Sequence, residues 1–288
     1  LKNPNDVVCV LVSYLPMPHK IGEMKTKPTQ YAVRTLNSYG VQPDVIIARS
    51  ECPLDKKRKE KIALSCSVPI EHVISAPDVE SIYDVPLNFE KDNIGEILLQ
   101  KLNIKAKKPK GDLHDWKRFV AKEKRAREPV HIAIVGKYFT TGDYVLSDSY
   151  ISVIEAVKHS SYWQKRKPVI TWLDAEDFEK NMGASARLQS LKKYDGIIVP
   201  GGFGTRGIEG KIKVIQYARE HKIPYLGLCY GMQLLVVEFA RNVLKIRGAT
   251  TAEIDPDAPI KVVDIMPEQK KHLAAGNYGA SMRLGSYL

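Results

Sequence analysis

The segment Tyr225–Gln233 (YLGLCYGMQ) most constrains how this chain folds, because it places a cysteine between two glycines where an apolar strand gives way to a helix. Gly227 and Gly231 permit a sharp strand-to-helix turn with close packing on either side, as in a nucleophile elbow. Cys229 is therefore predicted to project from the C-terminal edge of a sheet. We predict the next helix from Leu234, with its positive end favouring the thiolate. A buried, inert cysteine is the alternative.

Apolar strand-like segments alternate with helix-like segments along the whole chain. In the first part, strands are predicted at Val7–Leu15, Asp44–Ala48 and His72–Ser75, and helices at Gln30–Tyr39 and Lys56–Cys66. In the second part, the predicted strands are Val130–Val135, Val169–Leu173, Gly196–Val199 and one at Tyr225, and the predicted helices are Ser149–His159, Ala184–Lys192 and Ile208–His221. This alternation predicts an α/β fold with two three-layer α/β/α domains and mostly parallel sheets. Such sheets bind ligands at the C-terminal ends of their strands.

A basic stretch separates the two series. Lys105–Glu128 contains ten Lys or Arg and four acidic residues, a balance of +6 within a chain of net charge +11. No nucleic-acid-binding motif accompanies it, so we interpret residues 105–129 as an interdomain linker or linker helix and expect no nucleic-acid partner. The domains are then predicted at 1–104 and 130–288. Because Leu1 lies just before a buried-looking strand, the first domain is expected to be incomplete.

Composition excludes several classes of protein. No apolar run approaches the ~20 residues of a membrane span, and the N-terminus lacks the order of a signal peptide. The four cysteines have no CxxC spacing, which argues against a metal site or a disulfide framework. We expect a soluble, cytoplasmic protein with no membrane partner and no metal ligands in this chain.

The glycine-rich turn Pro200–Gly207 (PGGFGTRG) has two competing functional interpretations. Its glycines fit the GxGxxG pattern of a dinucleotide site, with Glu220 as the ribose acid, but that pattern normally follows the first strand of a domain. Alternatively, the backbone N–H groups of Gly202 and Tyr230 form an oxyanion hole for a carbonyl attacked by Cys229. A purely structural turn is the third possibility. The three glycines of the GxGxxG pattern are Gly202, Gly204 and Gly207.

A second candidate site lies in the first domain. No Walker A sequence occurs, but Lys25–Gln30 (KTKPTQ) gathers two ammonium groups, two hydroxyls and an amide at a predicted helix start. Backbone N–H groups there favour anions, and Pro28 suits a first helical turn. An exposed basic helix cap explains the same residues equally well.

Five strings carry a resemblance that covers essentially the whole chain. KTKPTQ at Lys25, GKY at Gly136, PGGFGTRG at Pro200, LGLCYGMQ at Leu226 and MRLG at Met282 occur in an order that resembles the CTP synthase family. The resemblance implies the end of an amidoligase domain, a linker and most of a class I glutamine amidotransferase domain. It also implies ATP-dependent amination of UTP to CTP, with ammonia from glutamine hydrolysis. In that reaction UTP is phosphorylated at O4 and ammonia displaces the phosphate.

The resemblance implies a role for each matching residue. Cys229 would attack the carboxamide of glutamine to form a thioester, with Gly202 and Tyr230 as oxyanion donors. Glutamine would also contact Phe203, Gln233 and Glu253. UTP or the inhibitor CTP would contact Lys25, Thr26, Lys27, Pro28, Thr29, Gln30 and Lys61; Arg49 would be a weaker ATP contact, and Arg206 and Glu209 would belong to the GTP-activation segment. The resemblance further implies Mg²⁺ with ATP, with ligands in segments missing here, and a homo-oligomer, usually a tetramer.

The departures from the family pattern are expected to matter. The family's base is a histidine in an H-P-E segment, which is absent here. His159 or His272 could approach Cys229 in space, but a solvated or core role is favoured for both. Tyr230 replaces a leucine, and both the ATP-binding P-loop and the arginine for the glutamine carboxylate are missing. The sequence is expected to be either the retained part of a longer CTP synthase or an inactive relative. Another cysteine-elbow amidotransferase or hydrolase, or a non-catalytic nucleotide-binding protein, remain alternatives.

Overall fold

A computed structural model describes residues 6–18, 22–105, 113–137, 140–141, 144–145, 150–179, 183–202 and 205–264. The chain divides into two compact units, Leu1–Ala121 and Lys122–Leu288. The boundary falls within the segment 105–129 that we interpret as a linker. Each unit is an α/β structure built on a parallel sheet, as the alternating pattern predicts.

The first unit contains a three-stranded sheet in its described residues. Its strands are β1 (Val10–Tyr14), β2 (Val45–Ser50) and β3 (Val73–Pro77), ordered β1-β2-β3 with every pair parallel. The helices are α1 (Lys27–Ser38), α2 (Lys56–Cys66), α3 (Val85–Lys91), α4 (Ile94–Lys101) and α5 (His114–Arg125). Short 3₁₀ turns lie at Ile70–His72 and Ile82–Asp84.

Alternate residues of the central strand β2 face two different helix layers. Ile46 belongs to a buried cluster with Val33 of α1 and Ile62 of α2. Val45 belongs to a separate cluster with Ile97 of α4. Because side chains alternate across a strand, both faces of this sheet are covered, giving three layers.

Helix α1 begins at Lys27, within the KTKPTQ segment and three residues before the predicted start at Gln30. Pro28 occupies the first turn, where its missing N–H removes no intrahelical bond. By contrast, α2 has the predicted bounds because Asp55 caps it, accepting a 2.7 Å hydrogen bond from the Arg58 N–H.

The basic segment contains a helix, α5, with an aromatic side. Trp116 and Phe119 pack around Tyr83, with ring centroids 5.9 and 5.0 Å from that of the tyrosine. The Trp116 indole N–H also donates a 2.8 Å hydrogen bond to the Tyr83 carbonyl. Aromatic packing and this hydrogen bond therefore hold the helix to Tyr83.

In the part of the second unit that the structure describes, the main sheet has four parallel strands ordered β7-β4-β8-β9. These strands are β4 (Glu128–Gly136), β7 (Arg166–Asp174), β8 (Gly196–Val199) and β9 (Tyr225–Gly227). Two-stranded pairs are formed by β5 (Thr140–Thr141) with β6 (Tyr144–Val145), and by β10 (Thr250–Thr251) with β11 (Lys261–Val263). The helices are α6 (Ile151–Trp163), α7 (Ala184–Ser190), α8 (Ile208–Glu220) and α9 (Tyr230–Glu238), with 3₁₀ turns at Ala175–Phe178 and Leu191–Lys193 and a π-helical turn at Phe239–Val243.

Helices cover both faces of this sheet as well. Val135 and Val199 pack in the larger core cluster with residues of α8 and α9, such as Ile215 and Leu234. Ile134 lies in the cluster on the opposite face, against α6. Within the described residues, no helix is both long enough and apolar enough to cross a membrane.

Candidate active site

Cys229 lies at the junction of β9 and α9 in a strained backbone conformation. Its φ and ψ are 51° and −107°, a combination that L-residues rarely adopt. The side chain is exposed at the C-terminal edge of the sheet, as the elbow predicts. The predicted helix start at Leu234 is wrong: α9 begins at Tyr230, directly after the cysteine. The amide of Tyr230 is thus among the N–H groups without an intrahelical acceptor.

Both flanking glycines are required by close backbone contacts. A Cβ on Gly231 would lie 2.0 Å from the Val199 carbonyl oxygen, and one on Gly227 would lie 2.6 Å from backbone atoms of Gly231. Any larger residue would therefore push β8, β9 and α9 apart. The Tyr225 hydroxyl donates a 2.8 Å hydrogen bond to the Gly231 carbonyl and closes the turn from the strand side.

The start of the glycine-rich turn lies beside the cysteine. A Cβ on Gly201 would lie 3.3 Å from Cβ and 3.8 Å from Sγ of Cys229. The Tyr150 hydroxyl donates to the carbonyls of both Gly201 and Lys137 at 3.3 Å, which ties the turn to the end of β4. Gly202 directly follows Gly201 in the chain, and Tyr230 directly follows Cys229. The two predicted oxyanion donors therefore lie next to the pair of residues in contact.

The arrangement does not support the dinucleotide interpretation. Glu220 ends α8, thirteen residues beyond Gly207, and a helix of that length separates the two by about 20 Å. Its carboxylate instead accepts a 2.9 Å hydrogen bond from Gln216. Gly207 has a φ of 75°, which explains a glycine there without a nucleotide. Gly204 lies outside the described residues.

Two buried lysines lie next to Gly202, and sequence reasoning missed both as site residues. A Cβ on Gly202 would lie 3.6 Å from Cε of Lys137 and 3.9 Å from Nζ of Lys211. The two side chains are 2% and 1% exposed, respectively. Burial, assisted by repulsion from Lys137, lowers the pKa of Lys211 from 10.5 to about 8. GKY at Gly136 carries part of the family resemblance without marking Lys137 as a site residue, and no local signal marks Lys211.

Two of the three residues implied in glutamine binding can be located. Gln233 is buried one turn into α9, where its N–H donates a 3.2 Å hydrogen bond to the Cys229 carbonyl. Glu253 is exposed in the turn after β10, and its charge contributes, after burial, to raising the pKa of Tyr230 to about 12. Glu253 therefore lies near the residue that follows the nucleophile. Phe203 lies outside the described residues.

The position of His159 does not support it as the expected base. His159 lies nine residues along α6 from Tyr150, the residue that bonds Gly201, and this spacing places it about 13 Å further along the helix axis. It lies 3.9 Å from Glu155 rather than beside the cysteine. The suggestion that His159 approaches Cys229 is therefore wrong. His272 lies outside the described residues.

Arg206 and Glu209, the residues of the implied GTP-activation segment, pair with different partners. Arg206 forms an ion pair with Glu176, and Glu209 forms one of 2.8 Å with Arg241. The first link runs to the 3₁₀ turn after β7 and the second to the π-helical turn after α9. Both side chains are exposed, so either could also meet a ligand.

In the first unit, the fold brings Lys25 and Lys61 to one acidic group. The Glu23 carboxylate lies 2.7 Å from the Lys25 ammonium and 3.7 Å from Arg58, and Lys25, Arg58 and Lys61 lower the pKa of Glu23, Lys25 most strongly. Arg58 also donates to the Met24 carbonyl and so holds the KTKPTQ loop to α2. Sequence reasoning did not single out Arg58 or Glu23.

The other residues implied in nucleotide binding differ in accessibility. Thr29 is fully buried and shares a 2.9 Å hydrogen bond with Ser13, and the buried Thr26 hydroxyl accepts a 3.1 Å bond from Gln30. These residues stabilise the loop from inside. Arg49 pairs with Asp78 at 3.1 Å. Lys27 and Pro28 are exposed.

The described residues contain no group of three or more His, Cys, Asp or Glu side chains placed to hold a metal ion. The elements that would bind Mg²⁺ with ATP are therefore not identified in them. What the described geometry does contain is a thiol at a nucleophile elbow and, in the other unit, a cationic cluster.

Comparison with known proteins agrees with both features. Residues 1–104 match the family model described as CTP synthase N-terminus, and residues 145–286 match that of glutamine amidotransferase class-I. The chain is 50% identical over 283 residues to a CTP synthase of Pyrococcus furiosus and 48% identical over 285 residues to one of Caldanaerobacter subterraneus. Each match covers 98% of this chain and 50% of the relative, so the chain spans about half the length of these curated relatives.

A solved structure also matches, with a TM-score of 0.44 and 38% identity. It is that of the Trypanosoma brucei CTPS glutaminase domain with bound acivicin, and the match covers 48% of this chain and 50% of that one. The fold, the elbow and the family models define the second unit as a class I glutamine amidotransferase domain. Together with the first unit's match, they show that the chain belongs to the CTP synthase family.

Proposed function

We propose that this chain acts in the ATP-dependent amination of UTP to CTP, with ammonia released from glutamine at Cys229. The observation that carries the proposal is the strained elbow, which exposes Cys229 beside Gly201 at the edge of a sheet. A thiol held there can attack a carboxamide carbon while backbone N–H groups stabilise the resulting oxyanion.

In the proposed glutaminase step, the sulfur of Cys229 forms a thioester with the glutamine acyl group, the carbon–nitrogen bond breaks, and the thiol proton passes to the nitrogen, which leaves as ammonia. The amides of Gly202 and Tyr230 are proposed to bind the oxyanion. Water then hydrolyses the thioester to glutamate. Gln233 and Glu253, which lie near the nucleophile, are proposed glutamine contacts together with Phe203.

The proposed nucleotide step uses the first unit. The cluster around Glu23 offers Lys25 and Lys61 to the phosphates of UTP or of the inhibitor CTP. Lys27, Thr26, Pro28, Thr29 and Gln30 complete the proposed loop, and Arg49 is a proposed ATP contact. Mg²⁺ would accompany ATP, but no step is derived through it because the described residues show no metal cluster.

The remaining assignments follow from family membership alone. We propose activation by GTP at the segment of Arg206 and Glu209, assembly into a homo-oligomer, and residence in the cytoplasm. A tetramer is the proposed state, which analytical ultracentrifugation measures directly.

A glutamine-like chloroketone tests the central proposal. We expect one equivalent to label Cys229 with loss of chloride, and excess glutamine to slow the labelling. Cys52, a free and exposed cysteine, serves as the internal comparison, and Cys229→Ser as the matched control. Labelling of Cys52 at the same rate, or no protection by glutamine, would refute glutamine hydrolysis at Cys229.

A further inference from the structure

The most unusual group near the elbow is the ammonium of Lys211. This residue lies in the first turn of α8, and its side chain is 1% exposed. Among the described residues, the charge that acts on the Lys211 ammonium is that of Lys137 and not that of a carboxylate, and its aromatic neighbour is the Tyr230 ring, whose centroid lies 5.7 Å from Nζ. The nearby cation, Lys137, repels it.

A purely structural role does not explain an ammonium at this position. Burying a cation without a carboxylate partner is unfavourable, and an apolar side chain of similar length would fill the same space without that cost. Contact with a ring face offsets only part of it. Groups retained despite such a cost are concentrated at functional sites.

The position of Lys211 connects it to the nucleophile through two adjacent glycines. Its Nζ lies 3.9 Å from the Cβ position of Gly202, and the Cβ position of Gly201 lies 3.8 Å from Sγ of Cys229. The Tyr230 ring that faces the ammonium belongs to the residue directly after the cysteine. These contacts place the ammonium on the order of 10 Å from the sulfur, a distance at which unit charges still interact inside a protein.

We propose that Lys211 maintains a positive potential at the Cys229 turn that favours anionic species there. In the proposed glutaminase reaction these species are the thiolate and the oxyanion beside Gly202, and for this application the inference rests on the proposed function. Lys211 acts through space rather than by contact with substrate, so it is a positioning residue and not a catalytic one. Lys137 adds to the same potential from the end of β4.

Alkylation with two reagents of similar size and different charge tests the potential without any need for turnover. Cys229 in the full chain is treated with anionic iodoacetate and with neutral iodoacetamide at low salt, and the rate at each cysteine is followed by peptide mass spectrometry. In both cases the sulfur forms a bond to carbon and iodide leaves. The ratio of the two rates cancels changes in thiol ionisation and in access.

We expect Lys211→Met to lower the iodoacetate-to-iodoacetamide ratio at Cys229 about three- to fivefold, the effect of one unit charge about 10 Å away in a medium of intermediate dielectric constant. Lys211→Arg keeps the charge and should keep most of the ratio, and Lys211→Gln is a second neutral variant. Lys213→Met is the matched control, because Lys213 lies on the same helix and donates to the Glu179 carbonyl. The ratio at exposed Cys52 should not change in any variant.

The proposal would be overturned if the ratio at Cys229 stayed within about 1.5-fold of its original value in both neutral variants. A change of that size is about the resolution of such a rate comparison. An equal fall with Lys213→Met would also overturn it, as would equal loss of both alkylation rates, which would indicate a structural role. If the ratio falls as expected while the chloroketone fails to label Cys229, the potential is real and the glutaminase assignment fails instead.

Discussion

Glu238, a buried carboxylate, forms an ion pair with the partly exposed Arg219, and disrupting this pair should destabilise the second unit more than disrupting a fully exposed one. The Glu238 carboxylate is fully buried on α9. It accepts hydrogen bonds of 2.7 to 3.2 Å from the Arg219 guanidinium, near the end of α8, and one of 3.2 Å from Asn242. Arg219→Ala leaves that carboxylate with Asn242 as its remaining hydrogen-bond donor among those contacts.

The expected loss of unfolding free energy is about 3 kcal/mol. Removing one partner of a buried ion pair costs about 3–5 kcal/mol, because the other charge stays buried without compensation. The Arg219 side chain is 33% exposed, so water can reach part of the vacated space and the lower end of that range applies. With a urea m-value of about 2 kcal/mol per molar, the midpoint should fall by about 1.5 M.

Urea unfolding followed by tryptophan fluorescence measures this change. In a Trp116→Phe background, the signal comes from Trp163 and Trp172, both in the second unit. Arg166→Ala is the matched control, because Arg166 pairs with Glu128 at an exposed site, and it should cost less than about 1 kcal/mol. If Arg219→Ala costs no more than this control, the pair does not contribute as a buried one.

Three further predictions concern the two candidate sites. Lys211→Met should raise the unfolding free energy by up to about 3 kcal/mol at pH 7, because the folded pKa of Lys211, near 8, lies below its ordinary value. In urea titrations this gain should shrink as the pH rises from 8 to 10.5. A difference in unfolding free energy that does not depend on pH would contradict the prediction. Gly231→Ala should abolish chloroketone labelling of Cys229 and destabilise the chain, whereas Gly95→Ala, which meets open space in α4, should not. Glu23→Gln should tighten UTP binding severalfold in calorimetry, since it removes a carboxylate that competes with phosphate for Lys25; unchanged affinity would contradict that competition.

Local signals in the sequence were sufficient for the elements they determine. The bounds of α2 were predictable because Asp55 caps the helix, and those of β8 because four consecutive apolar or glycine residues fill a buried strand. The start of α9 was not, because Gly231 has a low helix propensity that the close contact with Val199 overrides. In α5, charged residues outnumber and obscure the aromatic side that packs on Tyr83.

The candidate site was predictable only in part, for a physical reason. Gly227 and Gly231 carry backbone requirements around Cys229 that a short motif records. Lys211 and Arg58 owe their positions to packing between elements far apart in sequence, and nothing adjacent to them in the chain reports that packing. The same is true of Glu23, whose environment depends on α2 as much as on its own loop.

The second unit concentrates unfavourable features at one edge of its sheet. The φ of 51° at Cys229 costs about 1–3 kcal/mol, and the buried ammonium of Lys211 adds a further penalty below pH 8. Both costs fall where a nucleophile and an anion would have to be held. Because α8 carries Lys211 near its start and Arg219 near its end, one helix joins the strained site to the buried ion pair with Glu238. The ion pair, Lys211 and the residue that follows Cys229 therefore lie on the same two helices, α8 and α9, so favourable and unfavourable contacts share one interface of the second unit.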